Sequence, residues 1–366
     1  MIKGHGGNIY DLARDLGCDP SDITDMSSNV NPFGPPPGLM AFLAENLGCL
    51  TALPEVDAGR IRQAFAERHG IDPARVLAGN GTSELIYCLP RALASRRVLI
   101  LAPTYADYAD ACRMNGVPFE YLTTDASAGF VPEPERIAGA VAAAGADTVV
   151  ICNPNNPTGV LLPSAVIVEL CRSHPRTRFV VDESYLGFVP GGQGDSLMRE
   201  EVPENIVVLN SMSKVFRVPG LRIGFAYSSR PLIDGLAAWR LPWSVNSLSQ
   251  AAVAWLMENR ADVDRFVGET VVRLEAERAF LTEQLRPLPS LRLFPSVTSF
   301  MLAALDRDDG AERLCDYLAR RKILIRNCAN FHGLSSAYVR FSLKTRSENA
   351  ELVNKLHDYF NDKDPE

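Results

Sequence analysis

The strongest constraint on this chain is a series of short, unbroken apolar runs. Val98-Leu-Ile-Leu101, Thr148-Val-Val-Ile-Cys152, Phe179-Val-Val-Asp182, Ile206-Val-Val-Leu209 and Ile223-Gly-Phe-Ala-Tyr227 each give way to a polar or Pro/Gly-bearing segment. A strand with one wet face alternates polar and apolar residues, whereas a run without alternation predicts a strand covered on both faces. Helical patterns such as Ala58 to His69 separate these runs. The chain therefore reads as α/β, with a mostly parallel sheet and helices on each side. Ligands of such sheets gather at the carboxyl ends of the strands. Tyr105, Asn156, Asp182 and Lys214 all stand there.

The rest of the chain divides around that sheet. Residues 1–40 read as an N-terminal arm, 41–285 as the large domain and 286–366 as a small α+β domain. In the arm, Ile9, Leu12, Ala13 and Leu16 give one helical face with Asn8 as its N-cap. Ser27 to Gly38 is too rich in Pro and Gly for regular structure and has to be held by a domain, a ligand or a second subunit. Residues 230 to 284 read as helical, with Val263, Phe266, Val267, Val271 and Leu274 on one face. Strands are expected at Ser299–Ala304, Ile323–Arg326 and Tyr338–Leu343. The last helix opens on a Thr345-x-x-Glu348 capping box.

Composition narrows the partners. The 366 residues carry a net charge of −7 without a basic tract, which argues against nucleic acid and against an anionic membrane. No apolar run reaches spanning length and no secretory core follows Met1, so a cytoplasmic protein is expected. Eight cysteines are scattered without a Cys-x-x-Cys pair, which predicts reduced thiols and no metal site.

The chemistry concentrates in Asn210-Ser-Met-Ser-Lys214 and in Arg222, eight residues beyond the lysine. A lysine in a small, hydroxyl-rich turn can condense with an aldehyde, and Ser211, Ser213 and Arg222 offer donors to a phosphate. Taken alone, Lys214 would read as a surface lysine. Gly79-Asn-Gly-Thr-Ser-Glu84 precedes a helical pattern, so the backbone at Gly81 and Thr82 can meet an anion at a helix N-terminus. In Asn153-Pro-Asn-Asn156-Pro-Thr-Gly159 two prolines stiffen the loop and hold Asn156 as a hydrogen-bond donor. Asp182-Glu-Ser-Tyr185 ends a strand; its aspartate is a helix cap or, beside a pyridinium nitrogen, the group that keeps that nitrogen protonated. Tyr105 is a core aromatic or a stacking ring.

Together the Asn-Pro-x-Asn-Pro-Thr-Gly, Asp-Glu-x-Tyr and Ser-x-Ser-Lys motifs resemble the fold-type I pyridoxal-phosphate enzymes, in the histidinol-phosphate aminotransferase-like branch. That resemblance implies pyridoxal 5'-phosphate as cofactor and a homodimer with shared active sites. It implies Lys214 as the Schiff-base lysine, Asp182 as pyridinium partner, Asn156 and Tyr185 on the ring oxygen, and Tyr105 stacked on the ring. Gly81, Thr82, Ser211, Ser213 and Arg222 become the phosphate cup, and Arg340 the clamp for a substrate carboxylate. His5-Gly-Gly-Asn8, the Ser27–Gly34 segment with Asn31, Pro242-Trp-Ser-Val-Asn246 and Ile325-Arg-Asn-Cys-Ala-Asn330 are similar to the threonine-phosphate decarboxylases of cobalamin biosynthesis. By that narrower resemblance His5, Asn8, Asn31, Arg326 and Arg340 bind a small phosphorylated amino acid. Its alternatives are an aminotransferase of the histidinol-phosphate type and a non-catalytic cofactor-binding regulator. One departure stands out. Relatives carry Arg-Tyr-Pro-Asp where this chain has Ala52-Leu53-Pro54-Glu55, and Leu53 lacks the hydroxyl that reaches a neighbouring subunit's cofactor phosphate.

Overall fold

A computed structural model describes residues 6–199, 201–306 and 310–361. Strand β1 (Thr24–Asp25) belongs to the arm. β2 (Val76–Gly79), β3 (Val98–Ala102), β4 (Phe119–Thr123), β5 (Thr148–Cys152), β6 (Arg178–Asp182), β7 (Ile206–Ser211) and β8 (Gly224–Ser228) form one seven-stranded sheet. Its order is β2-β8-β7-β6-β5-β3-β4. The pairs β4/β3, β3/β5, β5/β6 and β6/β7 are parallel, as the unalternating runs require. Ile206, Val207, Val208 and Leu209 are all fully buried, and each such side chain is worth about 1.5–3 kcal/mol over exposure.

Two features of the sheet depart from the simplest reading. β8 runs antiparallel to both its neighbours, because the connection Met212–Ile223 holds one turn of helix and then returns directly, without a long helical crossover. That short return keeps Lys214 and Arg222 together at one end of β7. β4 was not expected; it is the edge strand, it pairs only with β3, and its residues are largely half-exposed, so it lacks a continuous apolar run.

The C-terminal region holds β9 (Leu291–Leu293), β10 (Phe300–Leu305), β11 (Ile323–Leu324), β12 (Arg326–Asn327) and β13 (Tyr338–Ser342). Four of these make an antiparallel sheet in the order β12-β13-β10-β9. The run expected as one strand at Ile323–Arg326 changes partner at Ile325. β11 pairs in parallel with β1, and β12 pairs with β13. The arm is thereby stitched to the C-terminal sheet, and Ser342 N–H also donates to the Met26 carbonyl at 2.7 Å. Asn8 caps helix Ile9–Leu16, its Oδ1 accepting from Asp11 N–H at 3.3 Å. Thr345 N–H donates to Glu348 Oε2 at 3.0 Å, closing the capping box of helix Arg346–Phe360. Among the described residues no helix is long and apolar enough to cross a membrane.

Candidate active site

A cavity of about 390 Å³ opens where the strand ends meet the arm and the C-terminal sheet. Tyr105 reaches it after β3, Asn156 after β5, Asp182 and Tyr185 at the end of β6, and Ser211, Ser213 and Lys214 at the end of β7. Gly81 and Thr82 open helix Gly81–Ala92 on the same wall. Gly81 has φ +76, and a Cβ there would stand 2.6 Å from Arg222 Nη2. The bare backbone is what lets the guanidinium close over this helix N-terminus. Arg222 is itself left-handed at φ 55, and it donates from Nη1 to Pro219 O at 3.3 Å and from Nη2 to Ser83 Oγ at 3.4 Å.

The lysine is tuned by its surroundings. Burial, reinforced by the positive charges of Arg222 and Arg340, lowers the Lys214 ammonium to about 8. About a tenth of the lysine is thus free amine at pH 7, far more than an ordinary lysine offers, and free amine is the form that attacks an aldehyde. Asp182 accepts from the Tyr108 hydroxyl at 2.7 Å and from Ser184 N–H at 2.9 Å, which fixes both carboxylate oxygens. Burial pushes the Tyr185 phenol up to about 12, so it stays protonated, and Asn29 Nδ2 donates to its oxygen at 3.3 Å. Burial and then Asp107 raise Tyr105.

Two arginines face this wall from β12 and β13. They are direct cross-strand partners, Arg326 opposite Arg340. Arg340 is buried; it donates from Nη1 to Asn156 Oδ1 and from Nη2 to the Ser27 carbonyl, each at 2.5 Å, while its Nε finds no acceptor. Because Asn156 accepts through its oxygen, its amide N–H groups remain for a ligand. Arg326 is half-buried, donating to Asn327 O at 2.5 Å and to Asn330 Oδ1 at 2.6 Å, with its guanidinium over the Phe331 ring at 5.2 Å. Burial lowers both guanidinium groups, which remain cations throughout the ordinary pH range.

The remaining expected contacts fall elsewhere. Asn31 does not line the cavity: it is fully buried, donating to Val215 O at 2.8 Å and to Thr270 Oγ1 at 3.0 Å, so it fastens the arm to the large domain. Asn8 caps its helix and does not line the cavity either. His5 lies outside the described residues. The arm instead offers Gly6 and Gly7, with Gly7 N–H donating to Ser27 Oγ at 2.7 Å. Sequence reasoning missed Tyr108, Asn29 and Ser27. Tyr108 had a signal, since it lies one helical turn beyond Tyr105. The other two depend on contacts across more than 150 residues.

The family model described as Aminotransferase class I and II matches residues 21–356. This chain belongs to that family. Within it, the chain is 31% identical over 362 residues to the threonine-phosphate decarboxylase of Salmonella typhimurium, covering 97% of this chain and 96% of that one. It is 30% identical over 363 residues to the adenosylcobalamin biosynthesis bifunctional protein CobDQ of Leptospira interrogans. That match takes in 98% of this chain but 41% of the relative, so the chain spans less than half of that protein. The crystal structure of L-threonine-O-3-phosphate decarboxylase from Porphyromonas gingivalis superposes with a TM-score of 0.81 at 30% identity, covering 93% of this chain and all of that one. Histidinol-phosphate aminotransferases match at 24% to 30% identity. As a class I and II aminotransferase site, the cavity fits pyridoxal 5'-phosphate. It offers a buried amine for the aldehyde, an anchored carboxylate at Asp182, and a Cβ-free helix N-terminus with Ser211, Ser213 and Arg222 for the phosphate.

Proposed function

We propose that this chain is a pyridoxal-phosphate lyase. It removes CO2 from O-phospho-L-threonine and yields (R)-1-amino-2-propanol O-2-phosphate for cobalamin biosynthesis. The observation that carries this reading is the cross-strand pair Arg326 and Arg340 facing the lysine wall. A monoanionic amino acid would neutralise one of two opposed guanidinium groups. A substrate bearing a carboxylate and a phosphate a few bonds apart neutralises both.

Bound through its aldehyde to Lys214, the cofactor supplies a ring that accepts the electron pair left when a bond at Cα breaks. The protein decides which bond that is. Arg340, the more deeply buried cation, holds the carboxylate; Arg326, half-exposed at the mouth, holds the strongly hydrated phosphate. With both anions fixed, the two arginines would hold the Cα–COO⁻ bond perpendicular to the cofactor ring and Cα–H close to the ring plane, where it does not react. Once CO2 has left, Lys214 Nζ would be the group that returns a proton to Cα, and its buried amine suits that task. Asp182, fixed by Tyr108 and Ser184, keeps the ring nitrogen protonated, and Asn156 and Tyr185 hold the ring oxygen.

The working unit is a homodimer in the cytoplasm. Leu47, Leu50, Leu53, Val56, Trp239, Leu241 and Trp243 are all exposed, and Trp243 N–H bonds to the Val56 carbonyl, which joins the two segments that a second copy of the chain would cover. All eight cysteines are free, which suits a reducing compartment. The decisive experiment assays CO2 release from phosphothreonine against 2-oxoacid-dependent amino transfer. Release without transfer is expected; transfer without release would make the chain a histidinol-phosphate type aminotransferase.

A further inference from the structure

The loop that carries Arg326 does not stop at the cavity. It continues through Leu334 to the far edge of the seven-stranded sheet and seats on β4. There the His332 ring lies flat on Tyr121, with ring centroids 3.9 Å apart and planes 13° from parallel. Tyr121 is held in turn: Phe119 meets it edge-on at 5.4 Å, and Arg113 sits 5.1 Å above Phe119. Gly333 follows at φ +87, and a Cβ there would fall inside the van der Waals shell of Thr123 Cγ2. Backbone and ring thus touch β4 at two adjoining residues.

The inner end of the same loop is equally constrained. Phe331 N–H donates to Cys328 O and Leu334 N–H to Phe331 O, each at 3.0 Å. Phe331 lies buried under the Arg326 guanidinium, and Asn330 Oδ1 accepts from it. One short bracket therefore runs from β4 through His332 and Gly333 to the groups that aim Arg326. Neither Tyr121 nor His332 lines the cavity, so neither touches a ligand there.

We propose that Tyr121, His332 and Gly333 are positioning residues for substrate-phosphate recognition: the stack on β4 sets where the Arg326 guanidinium stands. This rests on the reading above, in which Arg326 takes the phosphate. It also makes the sheet edge a determinant of specificity, although it lies outside the site.

The test compares His332→Ala, His332→Phe and Gly333→Ala in the cofactor-loaded enzyme. In His332→Ala, KM for phosphothreonine should rise on the order of tenfold, the scale on which one charged hydrogen bond is weakened. Its kcat should stay within about twofold, the pattern of lost binding rather than lost chemistry. His332→Phe keeps a flat ring and should restore the wild-type KM, a rescue that a general folding defect would not give. Gly333→Ala should behave as His332→Ala or worse. Cofactor absorbance should be unchanged in all three, and amide exchange at residues 327–331 should quicken in His332→Ala. A wild-type KM in His332→Ala, or failure of His332→Phe to restore it, overturns the proposal. Should the wild-type enzyme release no CO2 from phosphothreonine, the functional reading falls. The bracket is then judged by exchange alone: quickened exchange upholds it and unchanged exchange overturns it.

Discussion

On the sheet side of the cavity, Asp182, Asn156 and Lys214 each sit within four residues of the end of an apolar strand. On the opposite side, Arg340 is held by Ser27 of the arm, 313 residues away in sequence. The first wall is made of local pieces aligned by parallel register, each strand delivering its own side chain. The second exists only after the arm, the C-terminal sheet and the large domain have met. On the proposed function, the sheet side would hold the cofactor and its electronics, and the assembled side would recognise the substrate. Damage to the first should remove chemistry; loosening the second should weaken substrate binding, and replacing one of its clamps should redirect the chemistry.

Lys214→Ala is the sharpest test of the sheet side. Turnover and the visible absorbance of the lysine-bound cofactor should both disappear; a variant that retains a borohydride-reducible bond to the cofactor would break the comparison. A pH experiment on the same residue comes next. Its ammonium is lowered from 10.5 to about 8, so the reactive free amine gains as pH rises through 8 and levels off above it. The rate of aldehyde condensation on the cofactor-free protein should follow that curve, with about two powers of ten more free amine near neutrality than an ordinary lysine offers. A rate still climbing steeply at pH 10 would contradict the tuning.

On the assembled side, Arg326→Lys keeps the charge but loses the bidentate geometry. Decarboxylation should fall by about 2 kcal/mol or more, the scale of a charged hydrogen bond. Released from one clamp, some substrate presents Cα–H to the ring and expels phosphate from the β-carbon, giving 2-oxobutanoate after hydrolysis. Product analysis decides: an unchanged ratio of products would mean that Arg326 binds without steering. The smallest effect belongs to Leu53, which is 78% exposed. Leu53→Tyr should leave cofactor affinity within about 0.5 kcal/mol of wild type or improve it, as measured by cofactor titration, because the ring meets little of its own chain and its hydroxyl restores the reach to the neighbouring subunit's cofactor phosphate. A large loss would place Leu53 in a tight contact with the second subunit.

The same division explains what could be read from the sequence. The strands of the sheet other than β4 are local apolar runs, and the glycine turn at Gly81, the Asn156 loop and the lysine turn are local patterns that stand at strand ends as the runs implied. The arm was harder. Asn31 and Asn8 are polar residues in a segment rich in Pro and Gly, and such residues bind ligands or satisfy backbone equally well. Asn31 spends its amide on Val215 and Thr270, and Asn8 caps a helix. Deciding between those roles needs to know which distant chain passes nearby. Tyr108 was missed for another reason: its apolar ring lies in the core and only its hydroxyl reaches Asp182.

The register of Arg326 against Arg340 has a consequence for timing. Two like charges directly across a strand pair repel, and a doubly anionic substrate quiets both at once. If Arg340 takes the carboxylate as proposed, loss of CO2 would leave the ligand its phosphate alone and the Arg340 charge bare again. On the proposed reading that repulsion would return as the reaction finishes, and the product would be held by one ion pair where the substrate had two. Turnover would then carry its own release signal, written in the charge lost with the carboxylate.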